Sequence, residues 1–386
     1  MNASSLIELG AVILGLAILA RLANRFGIPS IPLYLLAGLA FGEGGFAPLG
    51  ASAEFVETGS EIGLILLLFL VGLEYSASEL IAALRGSIRA GLLNLALTFP
   101  PGAIAALLLG WGVIPALFLG GITFVASSGV MAKILNDHAW IGNRETPLVL
   151  SITILEDLAM AVYLPILGAI LIGGSGLAGI GSAAIAIGVV AAVLAIAVRI
   201  EVPLSRFIFN RSDEALLLTI LGVAVLAAGL AEAVQISAAV GALLAGIVLS
   251  GPAAESARGL LSPLRDLFAA IFFAFVGLSV DPGALPPTLG IAVLLAIATI
   301  VTQFIAGWLS ASWAGIGPQG RSRAGALLLA RAEFSLAIAE LAIAGGLIAD
   351  LAPLTVSYVM IMAIVGPTAS RLVEIPAVER LLQRRS

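Results

Sequence analysis

The sequence predicts an all-α integral membrane protein of about thirteen transmembrane helices. Hydrophobic residues make up 61% of the 386 and charged residues 11%, with a mean hydropathy of +1.17; soluble domains carry about 25% charge and could not hide this much apolar surface. Apolar runs of about 18 to 25 residues recur along the whole chain, separated by turn residues and charges. Basic residues also gather on every second connection, the positive-inside pattern of a multi-pass protein.

The runs fall at about 5–25, 30–45, 58–74, 88–110, 115–136, 146–171, 177–199, 214–231, 236–251, 264–281, 288–312, 323–346 and 353–373. The N-terminus MNASSLIELG has no basic residue, and Arg21 and Arg25 come after the apolar run Leu6 to Leu19. That order predicts a retained first span instead of a cleaved secretory signal. With the N-terminus outside, the connections after odd-numbered spans are cytoplasmic, and they or the adjoining span ends hold every basic residue except Arg331. The opposite connections are acidic or neutral, as in GEGGFAPLGASAEFVETGSE. The polar segments 198–215 and 255–268 read as amphipathic pieces at the cytoplasmic surface. Residues 1–376 form the membrane domain in this reading, and 377–386 a short basic cytoplasmic tail. The expected location is the inner (plasma) membrane, with lipids as neighbours and no nucleic-acid partner.

Composition also narrows the chemistry. There are 0 cysteines and one histidine, His138, so neither a disulfide framework nor a metal centre is indicated. No cofactor is implied. His138, beside Asp137 at a span end, titrates in the range of a pH sensor, although interfacial histidines are common.

Two adjacent carboxylates, Glu156 and Asp157, lie mid-way along the otherwise uncharged stretch 146–171. One ionised residue at a span centre costs roughly 2.5 to 3.5 kcal/mol on insertion scales, so such groups mark ion pathways and proton relays. Span 5 reads PALFLGGITFVASSGVMAKIL, and Thr123, Ser127 and Ser128 sit in a small, hydroxyl-bearing stretch at its middle. Span 12 reads ALLLARAEFSLAIAELA and carries Arg331, Glu333 and Ser335 at membrane depth. Two polar interruptions on non-neighbouring spans point to discontinuous helices around a midplane site. The alternatives are structural: small residues allow close helix approach, Arg331 and Glu333 balance charge, and Glu156 or Asp157 pairs with Arg331.

The chain resembles the second branch of the monovalent cation:proton antiporters, the Kef- and Kht-type potassium antiporters and NapA-type sodium/proton exchangers. The likeness runs through IPSIPLYLLAGLAFG, EIGLILLLFLVGLE, ILEDLAMAVYLPIL, ISAAVGALLAGIVLS, LFAAIFFAFVGLSVDP and RAEFSLAIA, in that order. It implies an inverted-repeat fold in which spans 5 and 12 are crossed and discontinuous. A mobile core would comprise about 88–171 and 288–373, and a dimerising scaffold about 5–74 and 177–281. Asp157 then falls on the ion- and proton-binding aspartate and Glu156 on the position before it. Electrogenic sodium exchangers carry a lysine in span 11, where this chain has Gln303.

The function expected is exchange of a monovalent cation for a proton, K+ before Na+, electroneutral, by a homodimer with a separate cytoplasmic regulatory subunit as a further partner. A proton and a cation would compete for Asp157, since desolvation favours the neutral carboxyl and a bound cation the charged one. No enzymatic activity is expected: an intramembrane aspartyl protease needs a second mid-span aspartate. A cation channel, built from rings of acids or carbonyls, is a more distant reading.

Overall fold

The computed structural model describes residues 3–26, 28–42, 44–46, 48, 53–74, 77–173, 188, 212–233, 237–250, 254 and 258–374. The described residues form helices and no strand. In chain order these are α1 (Ala3–Phe26), α2 (Ile31–Phe41), α3 (Ala53–Leu73), α4 (Ala77–Leu108), α5 (Val113–Phe124), α6 (Ser128–Asp137) and α7 (Thr146–Gly173). After an undescribed stretch come α8 (Asp213–Ala233), α9 (Ala238–Leu249), α10 (Arg258–Ser279), α11 (Leu285–Trp313), α12 (Pro318–Leu327), α13 (Glu333–Ala344) and α14 (Leu351–Val373).

Among the described residues, 7 stretches are long and apolar enough to cross a membrane: Ala82–Leu108, Val113–Asp137, Thr146–Leu171, Asp213–Ala233, Gly259–Ser279, Pro282–Trp313 and Leu351–Val373. Three shorter apolar helices, Ile31–Phe41, Thr58–Leu73 and Ala238–Leu249, accompany them. At 1.5 Å per residue the 11 residues of α2 rise only about 17 Å, short of a bilayer's hydrocarbon core. The span expected at 177–199 and the tail at 377–386 lie outside the described residues. Residues 258–268, expected as a surface piece, begin α10 and continue unbroken into its apolar half.

The chain divides into two compact units, one of residues 1–53, 86–156 and 273–386 and the other of 54–85 and 157–272. The second unit is held by leucine and alanine faces. Ile65, Leu66, Phe69, Leu70 and Leu73 of α3 are buried with Leu216, Ile220, Ala224 and Ala228 of α8 and Ala238 and Ala242 of α9. Arg265 of α10 pairs with Glu74 and, at 3.0 Å, with Asp266.

The first unit inverts the soluble rule. Leu92, Ile104, Leu294, Ile297 and Val301 are exposed on α4 and α11, while Asn94, Thr98, Thr299 and Gln303 on the same helices are buried. Lipid tails accept the apolar faces, and the polar side chains turn inward where partners exist. Alanine and glycine on α11 and α12 bring those helices together: a Cβ on Gly307 would stand 2.7 Å from the Gly325 Cα. At the C-terminal end of α6, Glu374 ties α14 down by accepting from Trp140 Nε1 at 2.7 Å and bonding His138 Nδ1 at 2.9 Å. Partial burial pushes the Glu374 carboxyl up, but these hydrogen bonds and the nearby His138 and Arg323 charges outweigh it and hold the group below the usual carboxylate range.

The close approach makes a prediction. Gly307→Ala forces α11 away from α12 and destabilises by about 1 to 3 kcal/mol, whereas Gly290→Ala on the same helix meets nothing within 4 Å and is neutral or slightly stabilising. Thermal unfolding in detergent reads both; equal midpoints for the two variants would contradict the tight contact.

Candidate ion-binding site

Two helices of the first unit are interrupted. The first break runs from Val125 to Ser127, between α5 and α6, where Val125 and Ser127 adopt extended backbone. Ser127 is the N-cap of α6, its hydroxyl accepting from the Val130 amide at 3.3 Å. The second runs from Leu328 to Ala332, between α12 and α13, with Ala332 at φ −158°, ψ −104°. Broken helices leave carbonyls and amides without intrahelical partners, and nothing in a bilayer core replaces them.

The two breaks supply partners for each other. The Ser127 amide donates to the Ala330 carbonyl at 2.9 Å. Ser335 Oγ of α13 donates to the Ile122 carbonyl of α5 at 2.9 Å. Arg331, 0% exposed, fills the space where α5 and α12 both end. Its Nε and Nη2 donate to the Thr123 carbonyl at 3.2 and 3.1 Å, and Nη2 also reaches the Phe124 carbonyl at 3.5 Å. Its Nη1 donates to the carbonyls of Leu328 at 2.7 Å, Ala330 at 3.2 Å and Leu329 at 3.5 Å. A guanidinium thereby meets the partial negative charge of two helix C-termini.

Glu333 does the converse. As the first residue of α13, it accepts from Ser127 Oγ at 2.7 Å and from Ser128 Oγ at 3.4 Å, at the start of α6. A carboxylate meets the partial positive charge of two helix N-termini.

Glu156 of α7 is 1% exposed and is bound to the first break. Its Oε2 accepts from the Ala126 amide at 2.9 Å, and its Oε1 accepts from Asn94 Nδ2 of α4. Asn94 Oδ1 accepts from Gln303 Nε2 of α11 at 2.9 Å, and Gln303 Oε1 accepts from Arg331 Nη2 at 2.9 Å. Glu156 thus reaches Arg331 through two amides instead of pairing with it directly, as the structural reading of the sequence had it. Asp157 follows on α7, 4% exposed, about 100° further round the helix than Glu156.

Eight of the residues singled out from sequence therefore meet in one unit: Thr123, Ser127, Ser128, Glu156, Gln303, Arg331, Glu333 and Ser335. Thr123 enters through its carbonyl, because its hydroxyl donates back to Gly120 and Leu119 at 3.1 and 3.3 Å. Asn94 was not singled out. Its signal was present, a lone amide inside the apolar run GLLNLALTF, where an unpaired polar group would be costly.

The model of the transmembrane sodium/hydrogen exchanger family matches residues 11–374. The chain belongs to this family. It is a multi-pass membrane protein of the monovalent cation/proton antiporter kind, related to transporters. The K(+)/H(+) antiporter subunit KhtU of Bacillus subtilis is 32% identical over 98% of this chain and 95% of its own length. The ammonium/H(+) antiporter subunit AmhT of Alkalihalophilus pseudofirmus is 30% identical over 87% of this chain and 86% of its own. The solved sodium proton antiporter MjNhaP1 of Methanocaldococcus jannaschii shares the fold, with a TM-score of 0.71 at 18% identity over 95% of this chain and 97% of that one.

Arg331 generates the prediction here. Arg331→Met leaves buried carbonyls of both breaks without a donor and costs about 3 to 5 kcal/mol, enough to prevent a monodisperse protein in detergent. Arg331→Lys fails nearly as badly, since one ammonium cannot span both carbonyl sets. A melting curve of either variant matching wild type would contradict the arrangement.

Proposed function

We propose that this chain exchanges K+ for H+ across the inner membrane, without net charge movement, by alternating access at Asp157. The observation that carries the reading is the pair of breaks themselves, two interrupted helices bonded to each other beside buried carboxylates. In a transporter such discontinuous helices cross at the midplane and form the ion site. Thr123, Ser127 and Ser128 bring hydroxyl oxygens to the first break that are suited to replacing part of a cation's hydration shell, and Asp157 supplies the charge. Arg331, Glu333, Gln303 and Ser335 support that site.

Proton and cation compete at Asp157. The cation favours the ionised carboxylate and desolvation the neutral one, so either the proton or the cation is carried, and an empty negative site crosses poorly. Gln303 favours electroneutrality: at its place on α11 it bonds Arg331 and Asn94 and contributes no ammonium that the substrate would displace. K+ is favoured by the likeness to KhtU, named as a K(+)/H(+) antiporter subunit, while membership of the sodium/hydrogen exchanger family makes Na+ the alternative. KhtU and AmhT are each named as a subunit, which supports a separate regulatory chain beside this one. The protein works as a homodimer with the N-terminus outside and the C-terminus cytoplasmic.

Asp157→Asn is expected to abolish exchange in proteoliposomes while leaving the protein folded, because the amide removes the titrating charge at nearly constant volume. Wild-type cation-driven proton movement in that variant would sink the mechanism, and K+, Na+, Rb+ and Li+ added in turn rank the substrates. A second expectation concerns charge. A membrane potential clamped with valinomycin should leave the proton flux unchanged, with Na+ or Rb+ controls separating substrate K+ from clamp K+. Acceleration or reversal by potential alone would overturn the electroneutral reading of Gln303.

A further inference from the structure

Glu156 and Asp157 are adjacent, buried and of the same chemistry, so something must decide which of them handles the proton. The hydrogen-bond chain ending on Glu156 has a fixed direction. Arg331 can only donate, so Gln303 must present Oε1 to it and Nε2 to Asn94. Asn94 must then present Oδ1 to Gln303 and Nδ2 to Glu156. At the other oxygen, the Ala126 amide can also only donate. Both amide orientations follow from the guanidinium at the far end, and both oxygens of Glu156 are acceptors. All three side chains above it, Asn94, Gln303 and Arg331, are 0% exposed.

We propose that Asn94 is a positioning residue that assigns the two carboxylates of α7 their different roles. By donating to Glu156 at the end of the chain from Arg331, it holds Glu156 as a stationary anchor of the first break and leaves proton exchange to Asp157. The inference rests on the reading of Asp157 as the exchange site. The ionisable groups around the chain are Arg331 at its head, Glu333 across the second break, Tyr358 of α14 in contact with Arg331, Glu156 at its foot and Asp157 next on α7. Nothing among them replaces the Asn94 donor.

Asn94→Asp tests this. A protonated aspartate is nearly isosteric with asparagine, donating to Glu156 and accepting from Gln303, so the chain survives at acidic pH. Once ionised it faces Glu156 as a second acceptor and the chain fails. The ratio of Asn94→Asp to wild-type cation-driven proton flux should therefore stay near unity at about pH 6 and fall at least about tenfold by about pH 9. A ratio that is constant with pH, however low, makes Asn94 an ordinary structural residue and overturns the proposal. Should Asn94→Asp not assemble in the membrane, Gln303→Glu decides in the same way, because a neutral glutamic acid can pass the chain on and an ionised one cannot. Failure of both variants to assemble also overturns it, by making the amide pair a folding requirement. Exchange persisting in Asp157→Asn would instead sink the underlying site assignment, whatever the Asn94 profile shows.

Discussion

The Arg331 guanidinium is the interaction on which the rest of this unit depends. A membrane helix can be broken only if the groups freed by the break find partners inside the protein. Here one planar cation serves both interruptions, bonding the end of α5 through Thr123 and the end of α12 through Leu328 and Ala330. Its planar fork of donors is what lets it bond in several directions at once. Removing that cation takes the donor from carbonyls of both breaks at once. The hydroxyls of Ser127 and Ser128 on Glu333 complete the arrangement from the amide side.

Charge balance follows from the same geometry. Each helix end carries about half an elementary charge. Two C-termini and Arg331 therefore come close to cancelling, as do two N-termini and Glu333. The paired breaks are nearly neutral by themselves, although they hold two formal charges. Glu156 and Asp157 are additional to that balance. Two further carboxylates side by side repel in a low-dielectric interior, which is the condition under which a proton or a monovalent cation is taken up.

Much of this was legible because polar residues are so costly in an apolar span. Thr123, Ser127 and Ser128 announced the first break by being small and hydroxyl-bearing mid-span, and Arg331 and Glu333 announced the second by their charge. The Glu156–Asp157 pair stood out for the same reason. Two things were not legible. Asn94 carries no charge and sits among leucines, and only its partners on α7 and α11 reveal its importance; a long-range contact of that kind leaves no local pattern. The indirect route from Glu156 to Arg331 was missed with it, since opposite charges at similar depth suggest a direct pair. The second run reads to about residue 45, whereas α2 ends at Phe41 with Gly42 as its cap.

The electroneutral exchange proposed for Asp157 places a further demand on this layout. The proton-loaded and cation-loaded forms carry the same charge only if every other group in the site keeps its own charge throughout the cycle. Glu156 is the group most at risk, being adjacent to the carboxylate proposed to exchange the proton and buried like it. A site that let the proton wander to Glu156 while the cation stayed on Asp157 would carry both at once, and the exchange would become co-transport. Two directed donors on Glu156, one from a backbone break and one from an amide locked by Arg331, oppose that transfer. In this reading the polar chain through Gln303 and Asn94 does for coupling what the lysine does in electrogenic relatives for charge: it decides which species the aspartate is free to bind.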